Sequence, residues 1–270
     1  MSFVNLKSLN VIILAAGQGT RLKKYASNKP KGMLKIGKNS LIERQINQFN
    51  KFGIKDISIV RGFMGHKINF PNITYFDNKQ FDSTNMLVSL FKAFDKMKGD
   101  IIVSYGDIMF SQSLLEKLIQ EKGDIVVSVD VSWEKYWLMR YGTIHYDKES
   151  LTLDRNNFIL SLGRPDPKNC IVDGRYVGLI KFSQKGLNSI EKIWGKYKND
   201  YWDQPWQVSG KTFRQAYMTD MLQALIDHNY QVQASIVQNG WIEFDCDSDY
   251  ENAQSWMTSG TLMRDLGIET

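Results

Sequence analysis

Between Val11 and Ala16 the chain runs Val-Ile-Ile-Leu-Ala-Ala, then breaks at once into Gly17-Gln18-Gly19-Thr20-Arg21. An unbroken apolar run of this kind reads as a strand buried on both faces, the habit of a mostly parallel sheet covered by helices. Two glycines directly after it let the backbone turn sharply and approach a ligand closely. Such a turn offers several N–H groups to an anion, which favours phosphate. Arg21 and Lys31 add two cations just downstream, and together these parts describe a triphosphate cradle. Two familiar phosphate loops fail on spacing. A dinucleotide loop wants a third glycine where this chain has Leu22, and a P-loop wants a closing Gly-Lys-Ser/Thr. The loop runs on instead through Lys23, Lys24, Asn28 and Pro30.

G-x-G-T-R-L followed by Pro30-Lys31, with Pro30 nine positions after Arg21, resembles the signature of the nucleotidyltransferases that activate sugar phosphates and alcohol phosphates. The resemblance implies that the loop backbone and Arg21 hold an NTP while Lys31 stabilises the reacting α-phosphate. The implied nucleotide-binding set is Leu14, Ala15, Ala16, Gly17, Gly19, Thr20, Arg21 and Lys31, joined by Asn85, Ser89 and Gly106. Family members often have proline and threonine where this chain has Lys24 and Ala26, a departure that bears on the path of the loop between those residues.

The pattern beyond the loop supports an α/β fold. Ser40 suits a helix cap before Leu41, Ile42, Ile46 and Phe49, which recur at helical spacing up to Gly53. Ile57–Val60, Ile73–Phe76, Ile101–Tyr105 and Asp124–Asp130 read as strands, Ser83–Met97 as an amphipathic helix, and Leu114–Gln120 as a helix capped by Ser111. Residues 1–130 therefore alternate strand and helix, which predicts a Rossmann-like doubly wound sheet with ligands outside the carboxyl ends of its strands. Tyr141–Tyr146, Ser150–Asp154, Phe158–Leu162 and Arg175–Phe182 are short alternating runs that predict a small antiparallel lobe. Helices return at Gln184–Trp194 and Phe213–His228, followed by strands at Gln231–Val237 and Trp241–Phe244 and a last helix from Ser248. The expected organisation is one domain over residues 1–270, its core sheet from 1–130 and 210–260 and its acceptor-side lobe from 131–209. The resemblance implies the mixed, GT-A-like sheet of the nucleotidyltransferases.

Asp107 follows Gly106 at the end of a buried strand, so it stands at the sheet's carboxyl edge beside the phosphate loop. Mg²⁺ needs only one or two protein carboxylates when phosphates and water complete its shell. A turn aspartate bonded to its own backbone is the plain alternative. Trp241-Ile242-Glu243-Phe244-Asp245-Cys246-Asp247-Ser248-Asp249 resembles the family's late W-x-E-I-D-T-x-x-D-L segment, and the second metal acid of the family falls on Asp245. Asp247 is held in reserve, with helix capping as its other role. Lys31, Arg21 and Asp107 are thus the expected catalytic residues, with Asp107 and Asp245 on Mg²⁺.

Tyr75 to Leu90 resembles the branch of cytidylyltransferases that act on phosphocholine, 2-aminoethylphosphonate and similar small phosphorylated compounds, and places Asn85 and Ser89 one turn apart toward the substrate. Arg175-Tyr176-Val177-Gly178 and Tyr217-Met218-Thr219-Asp220 resemble the same branch. The implied reaction moves CMP from CTP to such an acceptor; a sugar 1-phosphate transferase using CTP, UTP, dTTP or GTP is the alternative. Two aromatic-rich segments, around Trp133, Tyr136, Trp137 and Tyr141 and around Tyr201, Trp202 and Trp206, suit a cation–π cage, a core, a lid or a homodimer contact. Asp220 is expected to meet an acceptor amino group, and Arg164 and Arg175 an acceptor carboxylate or phosphate.

Composition narrows the rest. Hydrophobic residues at 43% exclude general disorder, and the net charge of +5 is spread without a run of like charges, so neither nucleic acid nor membrane is an expected partner. Cys170 and Cys246 lie far apart in no metal spacing, and MSFVNLKSLN shows no signal-peptide pattern, which fits a cytoplasmic protein. His66, His145 and His228 form no ligand or triad pattern.

Overall fold

A computed structural model describes residues 9–165 and 172–269. In chain order the first elements are β1 (Asn10–Ala15), the short α1 (Lys23–Ala26), a small hairpin of β2 (Lys35–Ile36) and β3 (Asn39–Ser40), then α2 (Leu41–Lys51), β4 (Asp56–Arg61) and β5 (Thr74–Asp77). Next come α3 (Met86–Lys92), β6 (Ile101–Tyr105), β7 (Ile108–Phe110), α4 (Gln112–Gln120), β8 (Ile125–Asp130) and α5 (Trp133–Tyr141). The strands β9 (Glu149–Leu153), β10 (Ile159–Pro165) and β11 (Arg175–Phe182) precede α6 (Gln184–Tyr201) and α7 (Met218–Asp227). The chain closes with β12 (Gln233–Val237), β13 (Trp241–Glu243), α8 (Asp247–Thr258) and α9 (Thr261–Leu266).

Seven strands form one sheet in the order β12-β8-β11-β6-β1-β4-β5. The β1–β4, β1–β6, β4–β5 and β8–β12 pairs are parallel, whereas β11 runs antiparallel to both β6 and β8. The apolar run of β1 explains the layering. Val11 and Ile13 point into the core shared with Leu41, Ile42 and Phe49 of α2 and Leu115 of α4, while Ile12 and Leu14 point into the core shared with Leu87 of α3, Leu187 of α6 and Leu222 of α7. A strand with helices on both faces has no solvent side, so alternation vanishes from its sequence. Local signals then fix the helix starts. The Ser40 hydroxyl accepts from the Glu43 amide while the Glu43 carboxylate accepts from the Ser40 amide, both at 3.2 Å, a reciprocal cap at the head of α2.

The mixed α/β architecture is the expected one, with local differences; the helix expected over Phe213–His228, for one, begins only at Met218. Arg175–Phe182 joins the main sheet as its antiparallel member, which leaves the β9–β10 hairpin as the lobe among the described residues. Tyr141–Tyr146 is no strand: Trp133, Tyr136, Trp137 and Arg140 recur at helical spacing on the buried face of α5, and Gly142 (φ 71°) ends that helix. The helix expected over Ser83–Met97 shortens to α3, because Ser83 and Thr84 turn back onto the Gln80 carbonyl and the Asn85 side chain caps Met86.

The order places β1 between β4 and β6, so the chain leaves β1 toward opposite edges of the sheet. In open α/β sheets a ligand crevice forms at such a point, outside the carboxyl ends of the strands. Among the described residues no helix is long and apolar enough to cross a membrane. Cys246 is a free thiol, whereas Cys170 and most of the N-terminal segment lie outside the described residues.

Candidate active site

The turn after β1 is shaped by two glycines. Gly19 adopts φ +63°, and a Cβ there would come within 3.3 Å of the Lys31 side chain. Gly17 faces open space, which leaves its side of the turn free for a ligand. Gly106, after β6, packs so tightly on β1 that a Cβ would lie 2.9 Å from the Leu14 carbonyl. Its amide donates to that same carbonyl at 2.8 Å, which locks the two strand ends side by side. Leu14, Ala15, Ala16, Gly17, Gly19, Lys31, Asn85, Ser89, Gly106 and Asp107 line one cleft, with Phe81, Thr84 and Met86 as walls that the sequence did not flag. Thr20 turns instead toward a neighbouring surface groove with Lys23 and Phe63. Ser89 is buried, and its hydroxyl accepts from the Asn78 side-chain amide at 3.0 Å.

Two acids far apart in sequence meet at the mouth of this cleft. Strand β13 pairs antiparallel with β7, Glu243 opposite Ile108, and the Phe244 amide donates to the Asp107 carbonyl at 3.0 Å. This pairing carries Asp245 back beside Asp107. Lys31 then bridges them, its Nζ 2.7 Å from Asp107 Oδ2 and 2.8 Å from Asp245 Oδ1. Arg21 Nη2 reaches the same Asp245 oxygen at 3.2 Å. Burial works against charge at Lys31, but the two carboxylates outweigh it and raise its pKa. At Asp245 burial raises the pKa, yet Lys31 with Arg21 and Arg140 prevails and holds it down to about 2.

A second grouping shares Asp245. Asp147, Glu243 and Asp245 each offer an oxygen within 4.8 Å of the others. Burial, helped by the charge of Asp245, lifts Glu243 to about 7 even though Arg140 touches it. These are hard oxygen donors, and the Lys31 ammonium already sits between one of them, Asp245, and Asp107, so the combined acids fit a small divalent cation such as Mg²⁺. Asp147 carried no motif, and Glu243 stands in the late family-like segment, in which the resemblance marked only Asp245 as a ligand. Asp247, the reserve acid, accepts from the Lys24 amide at 3.2 Å and ties α1 to the head of α8.

The expected acceptor residues separate. Arg175 is buried, lies 4.2 Å over the Trp137 ring and donates to the Asp147 carbonyl at 2.9 Å; its Nη1 has no hydrogen-bond partner among the described residues. Arg164 is exposed on β10. The aromatic cage is corrected to a core: Trp133 and Tyr136 are buried, and the Tyr136 hydroxyl accepts from the Glu243 amide at 3.0 Å. Asp220 is corrected as well. Its oxygens accept from the Ser209 amide and hydroxyl (3.1 and 2.8 Å) and from the Tyr217 amide (2.9 Å), so it caps α7 from within rather than facing an acceptor.

Comparison with known proteins identifies the family. Residues 11–155 match the MobA-like NTP transferase domain. The CTP:phosphoglutamine cytidylyltransferase of Campylobacter jejuni is 33% identical over 254 residues, which cover 90% of this chain and 98% of that protein. The choline-phosphate cytidylyltransferase of Streptococcus pneumoniae is 26% identical over 202 residues, 72% of this chain and 82% of that protein. The solved inositol-1-phosphate CTP transferase of T. maritima shares the fold with a TM-score of 0.69 at 18% identity, covering 97% of this chain and 98% of its own. With a glycine turn, a bridging lysine and paired acids at one sheet edge, the chain belongs to the family of the MobA-like NTP transferase domain, a family of nucleotidyltransferases.

Proposed function

We propose that this protein moves CMP from CTP to a small phosphorylated acceptor and releases pyrophosphate. The observation that carries the reading is the Lys31 bridge to Asp107 and Asp245 at the mouth of the glycine-walled cleft. Mg²⁺ bound by these acids would neutralise charge on the α-phosphate and on the attacking oxygen. The chain's own residues orient the reactants. The turn from Gly17 to Gly19 presents its backbone to the triphosphate, and Arg21 and Lys31 offset the charge that builds during transfer. The acceptor brings its own nucleophilic phosphate oxygen, so no protein base is needed. A bond forms from that oxygen to the α-phosphorus, the bond to the β-phosphate bridge breaks, and its electron pair leaves with pyrophosphate.

Among acceptors we favour one that also carries an ammonium group, such as a phosphorylated amino-acid amide. Asp147, Glu243 and Asp245 crowd together, and Glu149 adds a carboxyl whose pKa burial raises, opposed by Arg175. The relative from Campylobacter jejuni, matched over almost its whole length, is named for phosphoglutamine. The test is a pyrophosphate-release screen of CTP, UTP, dTTP and GTP against phosphoglutamine, phosphocholine, 2-aminoethylphosphonate and a sugar 1-phosphate. CTP with an ammonium-bearing acceptor should give turnover, and Asp107→Ala should lower it about 10²–10³-fold. Turnover only with a sugar 1-phosphate, or an undiminished Asp107→Ala enzyme, would refute the proposal.

A further inference from the structure

The segment from Glu243 to Asp249 packs four carboxylates into seven residues, and three of them converge on one buried cation. The Arg140 side chain is 1% exposed. Its Nε and Nη2 grip Asp249 Oδ1 and Oδ2, both at 2.7 Å, while Nη1 meets Glu243 and Nη2 lies 3.5 Å from Asp245 Oδ2. Asp249 passes the constraint on: its Oδ2 also accepts from the Asp245 amide at 2.7 Å and the Cys246 amide at 3.0 Å. The rings of Tyr141, Trp137 and Tyr136 surround the guanidinium at 4.6, 5.5 and 5.7 Å from its carbon.

This arrangement divides into an anchor and a working edge. The bidentate pair with Asp249 is closed to solvent, whereas Glu243 and Asp245 remain 23% and 20% exposed at the site. A buried ion pair is a poor device for stability alone, since each desolvated ion costs several kcal/mol. Fork geometry is what a guanidinium offers and an ammonium does not. We propose that Arg140 is a positioning residue of the cation site, holding the Asp245 backbone through Asp249 and the Glu243 carboxylate directly. The inference rests on the reading of Asp245 as a metal-holding acid. Through it, α5 sets where the acids of the far strand stand.

The experiment measures Mn²⁺ taken up by the full chain with CTP present, as the free Mn²⁺ electron paramagnetic resonance signal lost beyond that lost to the same CTP alone, alongside turnover and melting. Arg140→Lys keeps the charge and loses the fork. It should weaken Mn²⁺ binding about tenfold or more, the range for groups that orient metal ligands, and raise the Mn²⁺ concentration for half-maximal rate more than it lowers kcat. Asp249→Asn should shift binding in the same direction, and it serves as the reporter if Arg140→Lys does not fold. Wild-type Mn²⁺ affinity in a folded Arg140→Lys or Asp249→Asn variant, while Asp245→Asn loses it, overturns the role of Arg140 alone. Absence of Mn²⁺ binding by the unaltered protein overturns the metal reading and this inference with it.

Discussion

Replacing Lys31 with methionine should move two observables in opposite directions. Methionine keeps much of the side chain's length and removes the ammonium that now lies 2.7 and 2.8 Å from Asp107 and Asp245. Transfer loses one preorganised charge partner, which costs about 10²–10³ in kcat. The same change takes the ammonium from both acids, leaving Asp245 with Arg21 and Arg140 alone. Asp107 and Asp245 are 21% and 20% exposed, so their pairing with Lys31 is neither fully hydrated nor fully dry. One unit-charge pair at about 4 Å is worth about 1 kcal/mol in water and about 4 kcal/mol near a protein surface. A divalent ion entering the unaltered site must displace that ammonium. Lys31→Met should therefore bind Mn²⁺ about tenfold more tightly in the absence of nucleotide, equivalent to about 1.4 kcal/mol. Titration of the free Mn²⁺ resonance signal reads the first quantity, and coupled pyrophosphate release reads kcat. Unchanged or weaker Mn²⁺ binding in a folded variant would show that the lysine does not hold the cation's place.

Three further outcomes are expected. Gly19→Ala puts a side chain at φ +63° and 3.3 Å from Lys31, so melting temperature should drop by an amount matching about 1–2 kcal/mol and turnover should fall with it; an unaffected melt would count against strain at the turn. Glu243, lifted by burial from its ordinary 4.5 to about 7, is protonated in the folded chain and ionised in the unfolded one across that window. The folded state then binds more protons, so stability must fall as pH rises from about 4.5 to about 7, a fall that thermal melts in chelator-treated buffer should find flattened in Glu243→Gln and unflattened if the assignment fails. Asp245 opposes this only in acid, since its contribution is lost as pH falls from 3.8 through about 2. Asp220→Ala removes the acceptor for two amides and a hydroxyl and should cost about 1–3 kcal/mol of stability without raising the acceptor KM; a KM rise in a stable variant would return Asp220 to the acceptor site.

What the residues disclosed in advance follows from the range of each signal. The β1 run, the Ser40 cap and the placement of Asp107 after β6 are local, so pattern and spacing sufficed. Asp245 was legible only through its motif, because the β7–β13 pairing that brings it to Asp107 is long-range. Strand direction leaves no periodic mark, which is why Arg175–Phe182 was expected in the lobe and lies within the main sheet. The aromatic segment at α5 was read for its rings and not for its period; taken at spacing of three and four, Trp133, Tyr136, Trp137 and Arg140 share the inward face. Arg140 would have emerged from that pattern, whereas Asp147, in the turn beyond, had no signal of its own. Asp220 stood in a family-like string, but a carboxylate three positions after a helix start also suits a cap, and capping is what it does.

The pairing of β13 with β7 bears on when this chain becomes competent during synthesis. A ribosome delivers the glycine turn, Lys31 and the strand that ends at Asp107 early, yet the partner acid emerges only with residue 245. Any nascent or truncated chain that stops before Trp241 lacks that strand altogether, with Lys31 left to a single carboxylate. On the reading proposed above, such a fragment would carry the glycine turn without the second acid of the cation site, so turnover would have to wait for the last strand.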